Sequence, residues 1–241
     1  MFTKEFGVGL IESNETGLRM ILSIRQDKKE RKLYHLYAET EEPLLSVHED
    51  ILIRYRLMKG RELSVEEIED IRTDDERYRA YALAIAYLGA KPRTRKQIQL
   101  YLTRKLFEEQ NIQYALDRLE REHIVDDEQY ALQFAAGRLR NGLKGRLWIK
   151  QELQQRGVSK QAAAKAADAL GREAELAAAT SAAEKKWRTL KGETADRKRK
   201  LMGYLMRRGF PGDIVREAVK LAVSNGEADL FDEDDGLLLD N

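Results

Sequence analysis

The sequence has no cysteine, and it has three prolines and three histidines in 241 residues. Without cysteine the chain forms no disulfide, no thiolate zinc site and no cysteine nucleophile. Proline makes up about 5% of an average protein, so its scarcity predicts a mostly helical chain with few irregular loops. The longest apolar run, Ala80–Gly89, is shorter than the ~20 residues that span a bilayer, and the N-terminus lacks the apolar core of a secretory signal. We therefore expect a soluble, cytoplasmic protein that does not contact a membrane.

Charge of both signs is abundant but unevenly placed. The chain has 43 basic and 42 acidic residues, a formal net charge of +1. Residues 226–241 hold seven acids and no Lys or Arg, which leaves 43 basic against 35 acidic residues, or +8, for residues 1–225. A basic body with an acidic tail favours a polyanion or an acidic protein as partner.

Residues 1–73 lack clear helical periodicity and predict a segment that contains β-structure. Leu18–Ile24 and Lys32–Ala38 have the composition of two short strands, joined by a charged hairpin loop. Two short helices are expected at Glu49–Leu57 and Val65–Ile71. The second is preceded by a capping box, in which Glu67 stands three residues after Ser64.

From residue 73 onward the sequence repeats itself with a period near 50. Asp74–Tyr78 recurs as Asp126–Tyr130, and the apolar pair Ile98 and Leu102 recurs at residues 149 and 153 and again at 201 and 205. The fold class is therefore mainly α: three tandem three-helix repeats at 74–125, 126–171 and 172–225, followed by an acidic disordered tail at 226–241. The nine helices are expected at 75–88, 94–106, 111–122, 127–140, 146–156, 160–170, 172–190, 195–208 and 211–223. Stacked repeats should form an elongated, right- or left-curving array with equivalent helices side by side.

Signals for catalysis are weak. The histidines are scattered, and although Gly137 and Gly142 have P-loop spacing, Leu143 stands where the phosphate-binding lysine should be. The Asp74-Asp75 and Asp126-Asp127 pairs could bind a metal, but each precedes a predicted helix, so we interpret both as N-terminal caps. We expect no enzyme activity, no metal and no cofactor.

Three basic clusters are more informative. They cover Lys91–Lys105, Arg138–Lys160 and Lys185–Arg208, and each centres on the second helix of a repeat and its preceding loop. Helices side by side would join them into a stripe that follows nucleic-acid phosphates. The alternative is a solvated face, but the positive excess in all three repeats favours a binding surface. The predicted binding residues are Arg95, Lys96, Arg138, Arg140, Lys144, Arg146, Lys150, Arg156, Arg197, Lys198 and Lys200.

Two tryptophans, Trp148 and Trp187, lie in or beside these clusters. Either side chain could stack on an exposed base, and Trp148 is the better candidate. Tryptophan is more often a core anchor, and the apolar neighbours Leu147, Ile149 and Leu190 favour that interpretation.

The order of these residues resembles a known family. Asp126–Ala131, then Arg138 and Gly145, then Ile149, Glu152-Leu153 and Arg156–Val158 resemble the middle repeat of the RecX regulatory proteins, bacterial modulators of the RecA recombinase. The resemblance extends over the whole chain and is best over Tyr78–Leu221. Val47–Asp50, followed by Leu57 and Lys59-Gly60, also resembles the N-terminal segment of Gram-positive members, whereas the early strands and the acidic tail depart from the usual pattern.

The resemblance implies binding to RecA filaments on single-stranded DNA, along the filament groove, and control of the RecA ATPase and strand exchange. Inhibition is the favoured direction, with a role in DNA repair and the SOS response, and the chain is expected to act as a monomer on single- and double-stranded DNA. Two alternatives stay open. One is a helical nucleic-acid-binding module without a recombinase partner, and the other is a protein-interaction solenoid whose basic face recognises an acidic partner.

Overall fold

The computed structural model describes residues 17–235, and over this range the chain forms five strands and ten helices. Two compact units are present. The first holds the residues up to Tyr87 together with Leu102–Arg118, and the second holds Leu88–Tyr101 and the residues from Leu119 onward.

The first unit contains the predicted β-structure, with more strands than the sequence had indicated. The strands are β1 (Leu18–Met20), β2 (Ser23–Gln26), β3 (Leu33–Tyr37), β4 (Leu45–His48) and β5 (Glu62–Ser64), and the first helix is α1 (Glu49–Arg54). β2, β3 and β4 form an antiparallel meander in which Ile24 lies opposite Leu36 and Leu36 opposite Leu45, and β1 pairs with β5. Leu36, Leu45 and Val47 pack with Ile51 of α1, and together they bury the inner face of the sheet.

Helix α2 (Val65–Leu88) corrects one prediction. Two separate helices were expected over this stretch, but a single helix of 24 residues passes through the boundary predicted at residue 73. The predicted capping box is present at its start, where Ser64 and Glu67 exchange hydrogen bonds of 3.1 and 3.0 Å. The stretch contains neither glycine nor proline, so no residue within it forces the helix to end.

As a consequence, Asp74 and Asp75 lie in the interior of α2. The prediction that this pair caps the N-terminus of a helix is therefore wrong. Asp75 is buried, with 3% of its surface exposed, and its Oδ1 accepts a hydrogen bond of 2.7 Å from the backbone N–H of His48. His48 is the N-cap residue of α1, so the carboxylate stabilises the start of a different helix.

The repeated apolar positions are confirmed as core positions. Ile98, Leu102, Ile149, Leu153, Leu201 and Leu205 are each 0% exposed. Within residues 17–235, no helix combines the length and the apolarity needed to cross a membrane. The helices that follow α2 are α3 (Arg95–Arg104), α4 (Glu109–Arg121), α5 (Asp127–Gly142), α6 (Arg146–Gln155), α7 (Lys160–Asp168), α8 (Arg172–Trp187), α9 (Thr194–Arg207) and α10 (Gly212–Asp235).

Alanines fill much of the core of the second unit, and they let α8 and α10 pack closely together. Arg172 at the start of α8 contacts Glu217 at 2.9 Å, and Glu184 near its end contacts Asn225 at 2.7 Å, so the two helices run parallel.

Helix α10 continues to Asp235, which corrects the prediction that the acidic tail is disordered from residue 226. Residues 226–235 include Ala, Leu and Glu and contain no proline, a composition compatible with a helix. Residues 236–241 of the predicted tail lie outside the described residues.

Candidate nucleic-acid interface

The helices that carry the basic clusters, α3, α6 and α9, meet end to end. The Thr94 hydroxyl, just before α3, donates 2.6 Å to the carbonyl of Arg156 at the end of α6. The Gly145 N–H, just before α6, donates 2.9 Å to the carbonyl of Arg208 at the end of α9. We call these contacts the first and second joints. The prediction that equivalent helices lie side by side is therefore wrong.

A glycine closes each joint. Gly157 and Gly209 follow α6 and α9 with φ of +95° and +81°, a left-handed conformation that residues with a side chain rarely adopt. A Cβ on Gly157 would lie 2.3 Å from Cβ of Lys96, and a Cβ on Gly209 would lie 2.3 Å from the backbone nitrogen of Trp148. The close approach that glycine permits explains why the ends of the helices meet.

A carboxylate from the next repeat stabilises the N-terminus of α3 and of α6. Asp127 Oδ1 accepts 2.9 Å from the N–H of Arg95, and burial raises the pKa of this carboxyl. Glu175 is 0% exposed, and its two oxygens accept the N–H of Arg146 at 2.8 Å and the Nε of the same residue at 2.6 Å. Asp126 is the N-cap of α5, as predicted, with two hydrogen bonds of 2.9 Å. Each of these contacts leaves a backbone donor satisfied at a helix start.

The predicted binding residues fall into two groups. Five arginines have partners inside the chain, and their charge helps to hold the fold: Arg95 pairs with Glu120, Arg138 and Arg156 with Glu152, Arg146 with Glu175, and Arg197 donates to the carbonyl of Trp187. The lysines and Arg140 are more accessible: Lys96, Arg140, Lys198 and Lys200 are exposed, and Lys144 and Lys150 are half-buried.

Trp148 is half-buried against the core, and cations already approach its ring. Lys144 Nζ lies 4.3 Å and the Arg138 guanidinium 5.6 Å from the ring centroid. Burial, together with the neighbouring charges of Arg208 and Arg138, lowers the pKa of Lys144. Positive charge thus accumulates around Trp148, which favours an anion at this surface. Trp187 is buried at 6% exposure, as expected of a core anchor.

One cluster of possible metal ligands was missed in the sequence. His48, Glu49 and Asp50 bring their ligand atoms within 4.8 Å of one another. His48 Nδ1 accepts the N–H of Asp50 at 3.2 Å, and the Tyr78 hydroxyl donates to the Asp50 carboxylate. The first of these hydrogen bonds is the N-cap bond of α1, and the second holds the Asp50 carboxylate against Tyr78, so the geometry supports a structural role.

A mainly helical chain of three-helix repeats, with basic helices that meet end to end, defines a helical repeat protein with a cationic surface. Models of the first, second and third three-helix domains of RecX match residues 80–119, 126–166 and 173–219. The chain belongs to the RecX family of regulatory proteins. The three matched ranges lie inside the three predicted repeats.

Individual relatives agree with this assignment. The chain is 36% identical over 145 residues to the regulatory protein RecX of Oceanobacillus iheyensis, a match that covers 58% of this chain and 53% of that relative. It is 30% identical over 215 residues to the regulatory protein RecX of Listeria monocytogenes serotype 4a, covering 89% and 78%. A crystal structure of regulatory protein RecX superposes with a TM-score of 0.68 at 27% identity, covering 83% of this chain and 98% of the other. The resemblance stated from the sequence is thereby confirmed.

Proposed function

We propose that this protein binds RecA filaments on single-stranded DNA and inhibits their ATPase and strand exchange, and thereby the SOS response. Membership of a family of regulatory proteins supports regulation as the activity. The observation that carries the contact with a filament is the succession of α3, α6 and α9, which meet end to end and bear accessible cations. The protein acts as a cytoplasmic monomer, without a catalytic step or cofactor of its own.

The accessible cations supply the phosphate contacts. Lys96, Lys150, Lys198 and Lys200 lie on the three helices, and Arg140 is at the end of α5. Each phosphate of a single strand that they neutralise releases condensed counterions, so the logarithm of the affinity falls by roughly 0.7 per logarithmic unit of salt for each contact. Arg95 and Arg146 contribute less to this slope, because each pairs with a carboxylate of its own, Glu120 and Glu175.

The test is RecA-dependent ATP hydrolysis on single-stranded DNA with and without an equimolar amount of this protein. We expect a lower rate, and less inhibition by the variant Lys198→Gln/Lys200→Gln. Lys220→Gln is the control, because Lys220 is exposed and belongs to α10, which carries none of the basic clusters. Unchanged ATPase and strand exchange with the wild-type protein would show that the proposal is wrong.

A second candidate function is nucleic-acid binding without a recombinase partner. The concentration of Lys144, Arg138 and Arg208 around Trp148 favours it, because such a surface attracts any polyanion. Binding to bare single-stranded DNA and to a RecA filament on the same DNA, at one salt concentration, separates the two. Tighter binding to the filament supports the first candidate, and equal binding supports the second.

A further inference from the structure

Two adjoining cavities form a groove along one side of α5, which we call the α5 groove. Their volumes are about 310 and 330 Å³, and Gln133 and Phe134 line both. Cavities that hold small ligands begin at about 300 Å³, so each is large enough for a group of the size of a nucleotide. The remaining lining residues are Gly137, Arg138 and Asn141 in one cavity, and Lys91, Pro92, Arg93, Gln97, Tyr130 and Arg156 in the other.

The lining combines three kinds of side chain. The rings of Phe134 and Tyr130 stack with centroids 5.8 Å apart and offer an aromatic wall. Gln133 and Asn141 are exposed amides, which can donate to and accept from the edge of a base. Four lining residues are cations, and among the described residues that line the groove none is acidic. Aromatic, amide and cationic groups together are the chemistry that binds an unpaired nucleotide.

The position of Gly137 is independent evidence that the groove is open. It lies in the interior of α5, where glycine destabilises a helix relative to alanine. Apart from its two chain neighbours and the adjacent backbone of its own helix, no atom of the described structure lies within 4 Å of the position that its Cβ would take. Gly157 and Gly209, by contrast, are required by the close contacts at the two joints. The packing of the chain therefore does not require glycine at position 137, and the missing side chain leaves the groove open there.

Charge at the groove is incompletely compensated. The guanidinium groups of Arg138 and Arg156 share one oxygen of Glu152, at 2.9 and 2.7 Å, and lie 5.1 and 4.5 Å from the ring centroid of Phe134. Two cations thus face one carboxylate. Arg138 Nε and Glu152 Oε2 are both buried and have no hydrogen-bond partner among the described residues, so the hydrogen bonds of this ion-pair cluster are incompletely satisfied.

We propose that the α5 groove binds one unpaired nucleotide of single-stranded DNA. The base lies over Gly137 against Phe134, the amides of Gln133 and Asn141 contact its edge, and the adjacent phosphate lies at Arg138 and Arg156. This inference rests on the proposed contact with DNA in the filament, and it assigns to α5 a role that the basic clusters alone do not indicate.

The experiment fills the groove at its open position. The affinity of Gly137→Gln for a fluorescent oligothymidylate is measured by anisotropy, beside Ala136→Gln as the matched control. Ala136 is the exposed neighbour on the same helix and does not line either cavity. Because stacking of one base contributes appreciably to single-strand affinity, we expect about tenfold weaker binding by Gly137→Gln and unchanged binding by Ala136→Gln.

A smaller substitution guards against loss of fold. Gly137→Ala should raise the Tm, because alanine favours the helix, while it weakens binding of the oligonucleotide. A general loss of structure cannot produce these opposite directions. If both Gly137 variants bind the oligonucleotide as wild type does, the α5 groove is not a nucleotide site.

Two further measurements separate the outcomes. Titration with thymidine monophosphate shows whether the groove takes a free nucleotide as well as a strand: binding that Gly137→Gln abolishes supports the groove as the site. RecA-dependent ATPase of the same variants is recorded separately, so that failure of the proposed regulation is distinguished from failure of the groove. A Gly137→Gln variant that loses inhibition but binds the oligonucleotide as wild type does would overturn the nucleotide assignment in favour of a protein segment.

Discussion

The tripeptide Asp-Asp-Glu occurs at residues 74–76 and 126–128, and the two copies take different positions in their helices. The first lies in the interior of α2, whereas the second spans the N-cap and the first turn of α5. The preceding residues account for the difference: Val65–Thr73 is already helical, but His123 has φ of +54° and ends the helical stretch before Asp126. A tripeptide that can cap a helix therefore does so only where the chain has first left the helical conformation.

The second aspartate nevertheless has the same role in both copies. Asp75 accepts the N–H of His48 before α1, and Asp127 accepts the N–H of Arg95 at the start of α3. Glu175 does the same for Arg146 at the start of α6, although its sequence context is different. The repeated feature is a long-range hydrogen bond from a carboxylate to the start of another helix.

A proline in each copy of the tripeptide gives the largest expected contrast. Glu76→Pro removes a hydrogen bond in the interior of α2 and should lower the free energy of unfolding by ~3 kcal/mol or more. Glu128→Pro lies in the first turn of α5 and should cost about 1 kcal/mol, mainly the bond from its N–H to Asp126. Urea denaturation followed by circular dichroism measures both. Equal losses would mean that α2 is interrupted at residue 74 in solution.

Removal of the buried carboxylate of Glu175 is expected to have the next largest effect. Glu175→Ala leaves the backbone N–H and the Nε of Arg146 without their acceptor, and we expect a loss of about 2–3 kcal/mol in the free energy of unfolding. Glu173→Ala is the control on the same helix, because Glu173 is exposed in the first turn of α8. An equally large loss of unfolding free energy in Glu173→Ala would show that the hydrogen bonds of Glu175 to Arg146 do not account for the effect.

The sequence predicts features that depend on neighbouring residues, and it does not predict contacts between residues far apart in the chain. The core positions Ile98, Ile149 and Leu201 were predicted because helical periodicity and the repeat offset are local patterns. The N-cap at Asp126 was predicted for the same reason. The bonds from Asp75, Asp127 and Glu175 join residues 27–32 positions apart, and no local pattern specifies them.

The candidate site shows the same limit. The sequence identified the basic residues, but it could not show that Arg146 pairs with a buried glutamate, or that Arg138 and Arg156 share Glu152. Gly137 carried a usable signal, since an isolated glycine within a predicted helix needs a reason. From the sequence, this glycine was considered only for its P-loop spacing from Gly142.

The two adjacent aspartates at the start of α5 allow a comparison of local and long-range caps. Asp127→Ala should cost about 2 kcal/mol, because the N–H of Arg95 loses its acceptor within the packed second unit. Asp126→Ala should cost about 1 kcal/mol, the usual effect of a lost N-cap. Thermal and urea unfolding of the two variants give the ranking. The reverse order would make the local cap the more important feature of the repeat.

The smallest expected effect is a pH dependence at Asp75. Burial raises the pKa of this carboxyl above its ordinary value of 3.8, and the neighbouring charge of Glu76 raises it further. The N–H of His48 and the charges of Arg79 and His48 lower the pKa but do not cancel the effect of burial. The folded state therefore holds the proton more tightly than the unfolded state, and the stability that Asp75 contributes below pH 3.8 is lost as the pH rises through the folded-state pKa. Asn does not titrate, so the advantage of wild type over Asp75→Asn should shrink as the pH rises from about 3.5 to 7.

Urea unfolding of wild type and Asp75→Asn from about pH 3.5 to 7 measures how the difference in their free energies of unfolding changes with pH. The same measurement on Asp127→Asn tests the second aspartate. Burial also raises the pKa of Asp127, so both differences should change in the same direction although the two aspartates lie in different parts of their helices. An advantage of wild type that grows with pH would mean that the N–H of His48 and the Arg79 charge stabilise the carboxylate more than burial destabilises it. Opposite trends at the two sites would show that Asp75 and Asp127 are not equivalent, and the common role assigned to them would fail.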